Sequence, residues 1–188
     1  LAEKELTVLK RIPLSLQQMN NILDRMMGIS VLAHETFERE EIDMRGLIKD
    51  TFESLSIAEA LPPIVFHIAE MPNAHADRLL VETLVMNLLG NAIKYTRGQA
   101  QREIHVDSTI QNGVTFYRIR DNGIGFNRDA ADRLFKAFHR QNGKADIEGV
   151  GLGLTIASRV VERHGGEIRA EGEPGKGAVF SFSLARIG

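Results

Sequence analysis

The sequence predicts an α+β fold, a two-layer arrangement with helices on one side of a mixed, largely antiparallel sheet, preceded by a long N-terminal helix. Three observations carry that expectation. Apolar residues recur at heptad spacing before residue 34, helical and alternating patterns interchange through the rest of the chain, and an Asn-Gly pair joins two alternating runs into a hairpin.

From Leu9 to Ala33 one apolar row is Leu9, Leu16 and Leu23 and the other is Ile12, Met19, Met26 and Ala33. A seam this narrow calls for a partner helix, with a single amphipathic helix lying on its own domain as the alternative. Pro13 falls inside the pattern and is expected to kink the helix or mark its start. The charged stretch His34 to Glu41 reads as a solvated helix end and linker. The chain opens at Leu1 in helical sequence with no signal-peptide pattern, so it is expected to be a piece of a longer protein.

After Asp43 a helix is expected over about Met44 to Ile57, stopped by Pro62-Pro63. A strand follows at Ile64 to Ala69, bounded by Pro72 and Asn73. Asp77 then caps a long helix through about Thr96. Strands Glu103 to Ile110 and Val114 to Arg120 flank Asn112-Gly113, a pair that accepts the positive φ angles of a tight hairpin. Asn122 to Val150 is too long for an ordinary connection and reads as a functional lid, with a short helical pattern near Asp129 to Phe138. A helix from about Leu152 to Arg163 ends at His164-Gly165-Gly166, where glycine supplies a left-handed cap. The last two strands are Glu167 to Glu171 and Ala178 to Leu184. In the second, Phe180, Phe182 and Leu184 alternate with serines, one face buried and the other polar.

Composition narrows the function classes. The 188 residues are 43% hydrophobic, enough to bury one full core, and 23 basic against 25 acidic residues leave a net charge of -2, so no nucleic-acid or anionic-lipid partner is indicated. Without cysteine there is no disulfide framework, thiolate zinc site or cysteine nucleophile. The longest apolar stretch, Leu84 to Ile93, is broken by two asparagines and falls far short of the roughly 20 residues a bilayer span needs.

Three segments point to chemistry. On the long helix, Asn87, Asn91 and Lys94 share one face beside Leu80, Leu84, Leu88 and Ile93. Two carboxamides and an ammonium in that setting line a polar cavity, or else form a cap or a solvated stripe. Asparagine oxygen suits magnesium, which keeps several waters and takes other oxygens from phosphates. Second, Asp121-Asn122-Gly123-Ile124-Gly125-Phe126 follows a strand. The aspartate can accept from an amine and the glycines let backbone bend or approach a flat ring; an ordinary turn is the alternative, and a calcium loop lacks its further acidic positions. Third, Gly149-Val150-Gly151-Leu152-Gly153-Leu154 opens a helix, where exposed N–H groups and the helix dipole suit phosphate. No Lys-Ser or Lys-Thr pair follows, so it is not a P-loop.

Taken in this order, the segments resemble the nucleotide-binding boxes of the ATPase superfamily of DNA gyrase, Hsp90, MutL and the histidine kinases. Asn87 to Thr96 looks like the N box, Asp121 to Phe126 the first glycine box and Gly149 to Gly153 the second. Leu134 to Arg140 looks like the phenylalanine box of sensor histidine kinases, and Lys176 to Phe180 like their closing glycine-strand segment. The likeness spans Asp43 to Leu184 and is greatest to kinases of the bacteriophytochrome type. It implies a Bergerat-type ATP-binding fold that uses ATP and Mg2+. Residues 41–188 would be the catalytic ATP-binding domain, and residues 1–40 the second helix of a truncated dimerisation and histidine-phosphotransfer domain plus linker.

By the same resemblance Asn91 would hold magnesium and Asp121 would bond the adenine amino group. Asn87, Lys94 and Arg140 would contact phosphates, and Tyr95 would lie beside the nucleotide. Ile124, Leu154 and Phe180 would wall the ring, although an alternating strand aromatic such as Phe180 is also ordinary core. True ATPases of the superfamily carry a glutamate four residues before the metal-binding asparagine. Here that position is Asn87, which cannot act as a base, so the resemblance implies phosphoryl delivery to a separate acceptor.

No histidine lies in an acceptor box. His34-Glu35 mimics its first two letters, but Thr36-Phe37-Glu38-Arg39 follows; His164 reads as a helix-capping residue of the fold. The resemblance therefore implies a cytoplasmic kinase fragment whose partners are ATP, a histidine-bearing dimerisation helix of the same protein, a response regulator receiver domain and a second copy in the parent homodimer. A degenerate module working through protein contacts, or an autonomous ATPase, are the alternatives.

Overall fold

The computed structural model describes residues 37–57, 63–127, 134–135 and 152–184. The heptad segment, His34, most of the segment read as a lid, Arg140, Gly149 and Gly151 lie outside them.

The described elements are β1 (Glu40–Ile42), α1 (Met44–Ile57), β2 (Ile64–Ile68), β3 (Ala74–Ala76), α2 (Arg78–Tyr95), β4 (Arg102–Gln111), β5 (Val114–Asp121), α3 (Gly153–His164), β6 (Ile168–Glu173) and β7 (Gly177–Ser183). Five strands form one sheet in the order β2-β4-β5-β7-β6, with β2 parallel to β4 and every other pairing antiparallel. The β4–β5 turn has positive φ at both Asn112 and Gly113, the conformation expected of that dipeptide.

One face of this sheet is covered by helices because its strands alternate. Ile104, Val106, Tyr117, Ile119, Ala178, Phe180 and Phe182 are buried, and against them pack Leu84, Val85, Leu88, Leu89 and Ala92 of α2 and Ile156, Ala157, Val160 and Val161 of α3. Helix α1 adds Met44, Leu47, Ile48 and Phe52, and Phe52 stacks on Phe66 of β2.

Two short strands were not legible in the sequence. Glu40 and Glu41, placed by the sequence reading in a linker, form a strand with Ile42 that pairs antiparallel with Ala74–Ala76 in a separate two-stranded ribbon. Asn73 Nδ2 donates to Glu41 Oε1 at 2.7 Å, and Ile42 and Ala76 are fully buried. Three residues are too few to display a period. The polar face of β7 also ends earlier than expected. Ser183 is buried because its hydroxyl accepts from the Glu167 N–H at 3.0 Å and Gly166 lies directly against its carbonyl.

Candidate functional site

Helix α2 is the axis of the site. Asp77 caps its start, accepting from the Leu80 N–H at 3.1 Å. Its apolar stripe is buried, while Asn87, Gly90, Asn91 and Lys94 are half-buried along one edge. The Asn87 amide donates to the Thr83 carbonyl at 2.8 Å, and its Oδ1 lies 2.7 Å from where a Cβ on Gly153 would stand. That contact joins the edge of α2 to the first residue of α3, and a side chain at Gly153 would displace the Asn87 carboxamide. No described residue hydrogen-bonds the Asn91 carboxamide, and the Lys94 ammonium sits 5.0 Å from the centre of the Tyr95 ring.

The end of α2 meets the segment after β5. A helix leaves its last four carbonyls without intrahelical partners, and here each is satisfied. The Ala92 carbonyl accepts from the Thr96 N–H, Ile93 from Arg102, Lys94 from the Arg97 N–H and Tyr95 from the Ile124 N–H at 3.3 Å. Gly123 must be glycine for this docking, since a Cβ would lie 2.5 Å from the Tyr95 carbonyl oxygen. Gly125 has φ +62 and its missing side chain leaves room for the Glu173 carbonyl, while the Gly175 N–H bonds the Ile124 carbonyl at 2.8 Å.

Asp121, at the end of β5, is 4% exposed. Burial pushes its carboxyl up to about 6, against the backbone N–H groups of Gly123 and Ala178, which hold it down. At neutral pH it is an ionised, buried acceptor, suited to one further N–H donor. Phe180 is buried in the core with its ring 6.2 Å from that of Phe126.

Helix α3 begins without a side-chain cap: Leu152 occupies the cap position and offers none. One turn in, the Thr155 Oγ1 is buried and has no hydrogen-bond partner among the described residues. The first N–H groups of a helix have no intrahelical partners, and beside a hydroxyl with none among the described residues they suit an anion. Leu154 packs against the core, and Ile124 is half-buried.

The structure therefore brings Asn87 to Gly153, and Asp121, Gly123 and Ile124 to Tyr95. Among the described residues no group of three or more His, Asp or Glu could hold a metal ion. The donor chemistry fits magnesium only in the manner that leaves most of its positions to water and phosphate, with a single carboxamide such as Asn91 from the protein. Sequence reasoning missed Arg102 altogether and used Thr96 only as the end of the long helix and of the N box. A basic residue opening a strand after a turn carries no periodic signal.

The fold is that of a two-layer α/β sandwich, with the candidate site at the edge of helix α2. Residues 76–187 match the profile of the histidine kinase-, DNA gyrase B-, and HSP90-like ATPases, and the chain belongs to that ATP-binding family. Curated relatives include the methanogenesis regulatory histidine kinase FilI of Methanothrix harundinacea, 32% identical over 89% of this chain, and cyanobacterial phytochrome B of Nostoc sp., 31% identical over 91%. This chain spans 19% and 23% of those two proteins. Among solved structures, full-length ShkA in complex with AMPPNP superposes with a TM-score of 0.71 at 23% identity, over 98% of this chain and 39% of ShkA. The mycobacterial sensor histidine kinase MprB superposes with a TM-score of 0.68 at 26% identity, over 77% of this chain and 97% of the MprB chain. No described helix is long and apolar enough to cross a membrane.

Proposed function

We propose that this chain is the ATP-binding catalytic region of a two-component sensor histidine kinase, delivering the γ-phosphoryl group of ATP to a histidine carried by another segment of the parent protein. The observation that carries the reading is the convergence on α2 of Asn87 against Gly153 at one edge and Asp121-Gly123-Ile124 against Tyr95 at the end. Residues 41–188 are read as the catalytic domain and residues 1–40 as the second helix of the dimerisation domain plus linker, the last of which, Glu40, already pairs into β1.

In this reading the ionised Asp121 accepts a hydrogen bond from the adenine amino group. Ile124 and Leu154 lie against the ring, and the start of α3, with Gly153 and Thr155, faces the phosphates. Asn87 has one amide hydrogen left over from its bond to Thr83, and Lys94 supplies positive charge. Asn91 would hold magnesium, which would offset the charge of the phosphates when bound. Arg140, Gly149 and Gly151 belong to the same site by their place in the sequence pattern.

Transfer is an in-line displacement in which an imidazole nitrogen bonds to the γ-phosphorus as the bond to the ADP oxygen breaks, and the imidazole then releases its N–H proton. No residue of the α2 edge is placed as a base toward water. Asn87 is neutral and already donates to Thr83, so hydrolysis is slow and the phosphoryl group waits for the histidine. The parent acts as a homodimer and passes the group on to a response regulator receiver domain.

Calorimetric titration with ATP and magnesium should show one site, abolished by Asn91→Ala and by Asp121→Ala. Absence of heat with both ATP and ADP in the unmutated chain would sink the proposal. The chain alone should not label itself with radioactive γ-phosphate but should label a histidine-bearing bundle added in trans; label on His34 would instead make this chain its own acceptor.

A further inference from the structure

Arg102 is a charged side chain that the fold buries almost completely, at 1% exposed. It opens β4, yet its guanidinium reaches back under the end of α2. Nη2 donates to the Ile93 carbonyl at 2.7 Å and Nε to Thr96 Oγ1 at 3.4 Å. Thr96 is itself fully buried, and its hydroxyl is shared between the Ala92 and Ile93 carbonyls at 2.9 and 3.0 Å. A cation taken out of water needs compensation, and part of it here comes from the carbonyl end of a helix, which carries about half a negative charge.

That helix end is unusual as a neighbour for a polyphosphate. Phosphates ordinarily sit at helix N-termini, where N–H groups and the positive dipole end face them. Helix α2 instead carries Asn91, Lys94 and Tyr95 in its last two turns, so the field of its own carbonyls opposes the charge of the ligand assigned to it.

We propose that Arg102 is the positioning residue of the nucleotide site: it fixes the last turn of α2 through Ile93 and Thr96 and cancels the negative end of that helix, so that Asn91 and Lys94 can face a polyphosphate. The inference rests on the ATP reading above. It separates two contributions to binding, one through the phosphates, which depends on Arg102, and one through the adenine ring and Asp121, which does not depend on its charge.

The test compares ATP with magnesium against adenosine, followed by amide NMR shifts and calorimetry in the unmutated chain, Arg102→Met and Arg102→Lys. Arg102→Met keeps a long apolar stem. It should weaken ATP by about thirtyfold, in the range that ångström-scale misplacement of a binding group produces, and adenosine by no more than about threefold. Arg102→Lys restores the charge and should recover most of the loss in ATP affinity. A merely structural role would lower the melting temperature and leave both affinities of the folded protein unchanged, or lower them equally; either result overturns the proposal. If Arg102→Met does not fold, Thr96→Val removes only the hydroxyl partner and carries the same comparison: ATP weakened with adenosine unchanged supports the assignment, and an unchanged ATP affinity overturns it. An unmutated chain that binds no ATP defeats the ATP reading itself.

Discussion

At its N-terminal end α2 is fastened, beside its Asp77 cap, through the neutral imidazole of His164. The Asp77 N–H donates to Nε2 of His164 at 3.0 Å, and the other ring nitrogen of His164 donates to the Val160 carbonyl at 2.8 Å, so one buried imidazole ties the start of α2 to the end of α3. Phe37 packs edge-on against that ring at 4.9 Å, and Arg39 donates to the His164 carbonyl. At its C-terminal end, by contrast, α2 is held by the permanent cation of Arg102. The far end depends on a group that acid can charge, and the end that carries the candidate nucleotide site does not. Loss of the first should unfold the domain without retuning the site, and loss of the second should retune the site.

The largest effect is expected at His164. His164→Ala leaves the Asp77 N–H without its partner, removes the ring's bond to the Val160 carbonyl and opens a cavity beneath Phe37, together about 4 kcal/mol of stability. Chemical denaturation measures the loss, and ATP affinity of the folded fraction should stay within about threefold of the unmutated chain. An affinity that collapsed in step with stability would erase the distinction between the two ends.

Asp121→Asn should act in the opposite direction. Burial raises the carboxyl from 3.8 to about 6, so between those values the folded chain holds a proton the unfolded chain has released. Its contribution to stability therefore falls as pH rises through that window and stays low above it. A neutral amide can accept the same Gly123 N–H, and it should raise stability at pH 7 by up to about 3 kcal/mol while removing ATP binding. His164 has the other sign. Burial lowers its pKa beyond what the Val160 bond restores, so its contribution is full above 6.5 and is lost as pH falls below that value. In the unmutated chain the two partly offset below pH 6. In Asp121→Asn only the histidine remains, and acid unfolding should steepen; an unchanged acid limb would contradict both assignments. ATP affinity of the unmutated chain should also fall below about pH 6 as the acceptor takes up its proton.

Gly123→Ala probes the docking at the C-terminal end. A methyl group 2.5 Å from the Tyr95 carbonyl oxygen has backbone on the other side, so either the segment after β5 or the end of α2 must shift, at about 2 kcal/mol. A weakening of ATP far larger than that of His164→Ala, despite the smaller stability loss, is the outcome that sharpens the contrast.

How much of this was legible beforehand follows from the length scale of each signal. The long elements were readable because α2, β4, β5 and β7 repeat their period several times, and the turn at Asn112-Gly113 is set by two residues alone. The grouping of Asn87, Asp121 and Gly153 came from motif order, and the physical reason for the glycines appeared only with the Tyr95 carbonyl and the Asn87 carboxamide in place. The ribbon of β1 and β3, the buried Ser183 and the roles of Arg102 and His164 rest on contacts between distant segments, such as the 87-residue separation of Asp77 and His164, which no local pattern encodes. His164 was readable as a helix-end residue, but not as the acceptor for another helix.

The smallest effect should come from Arg78, at the first position of α2, and it checks whether the neutral fastening is the one that matters. Its guanidinium lies 3.2 Å from Glu82, one turn on in α2, and 3.9 Å from Glu40 of β1, so one of its two ion pairs bridges the helix and the ribbon. Both pairs are half exposed, where water and salt screen them. A cation at a helix start also faces the positive end of the dipole. Arg78→Ala should therefore change stability by less than about 0.5 kcal/mol, with little dependence on added sodium chloride. A loss above about 1.5 kcal/mol that vanished in high salt would mean that surface charge, and not the His164 imidazole, anchors this end of the helix.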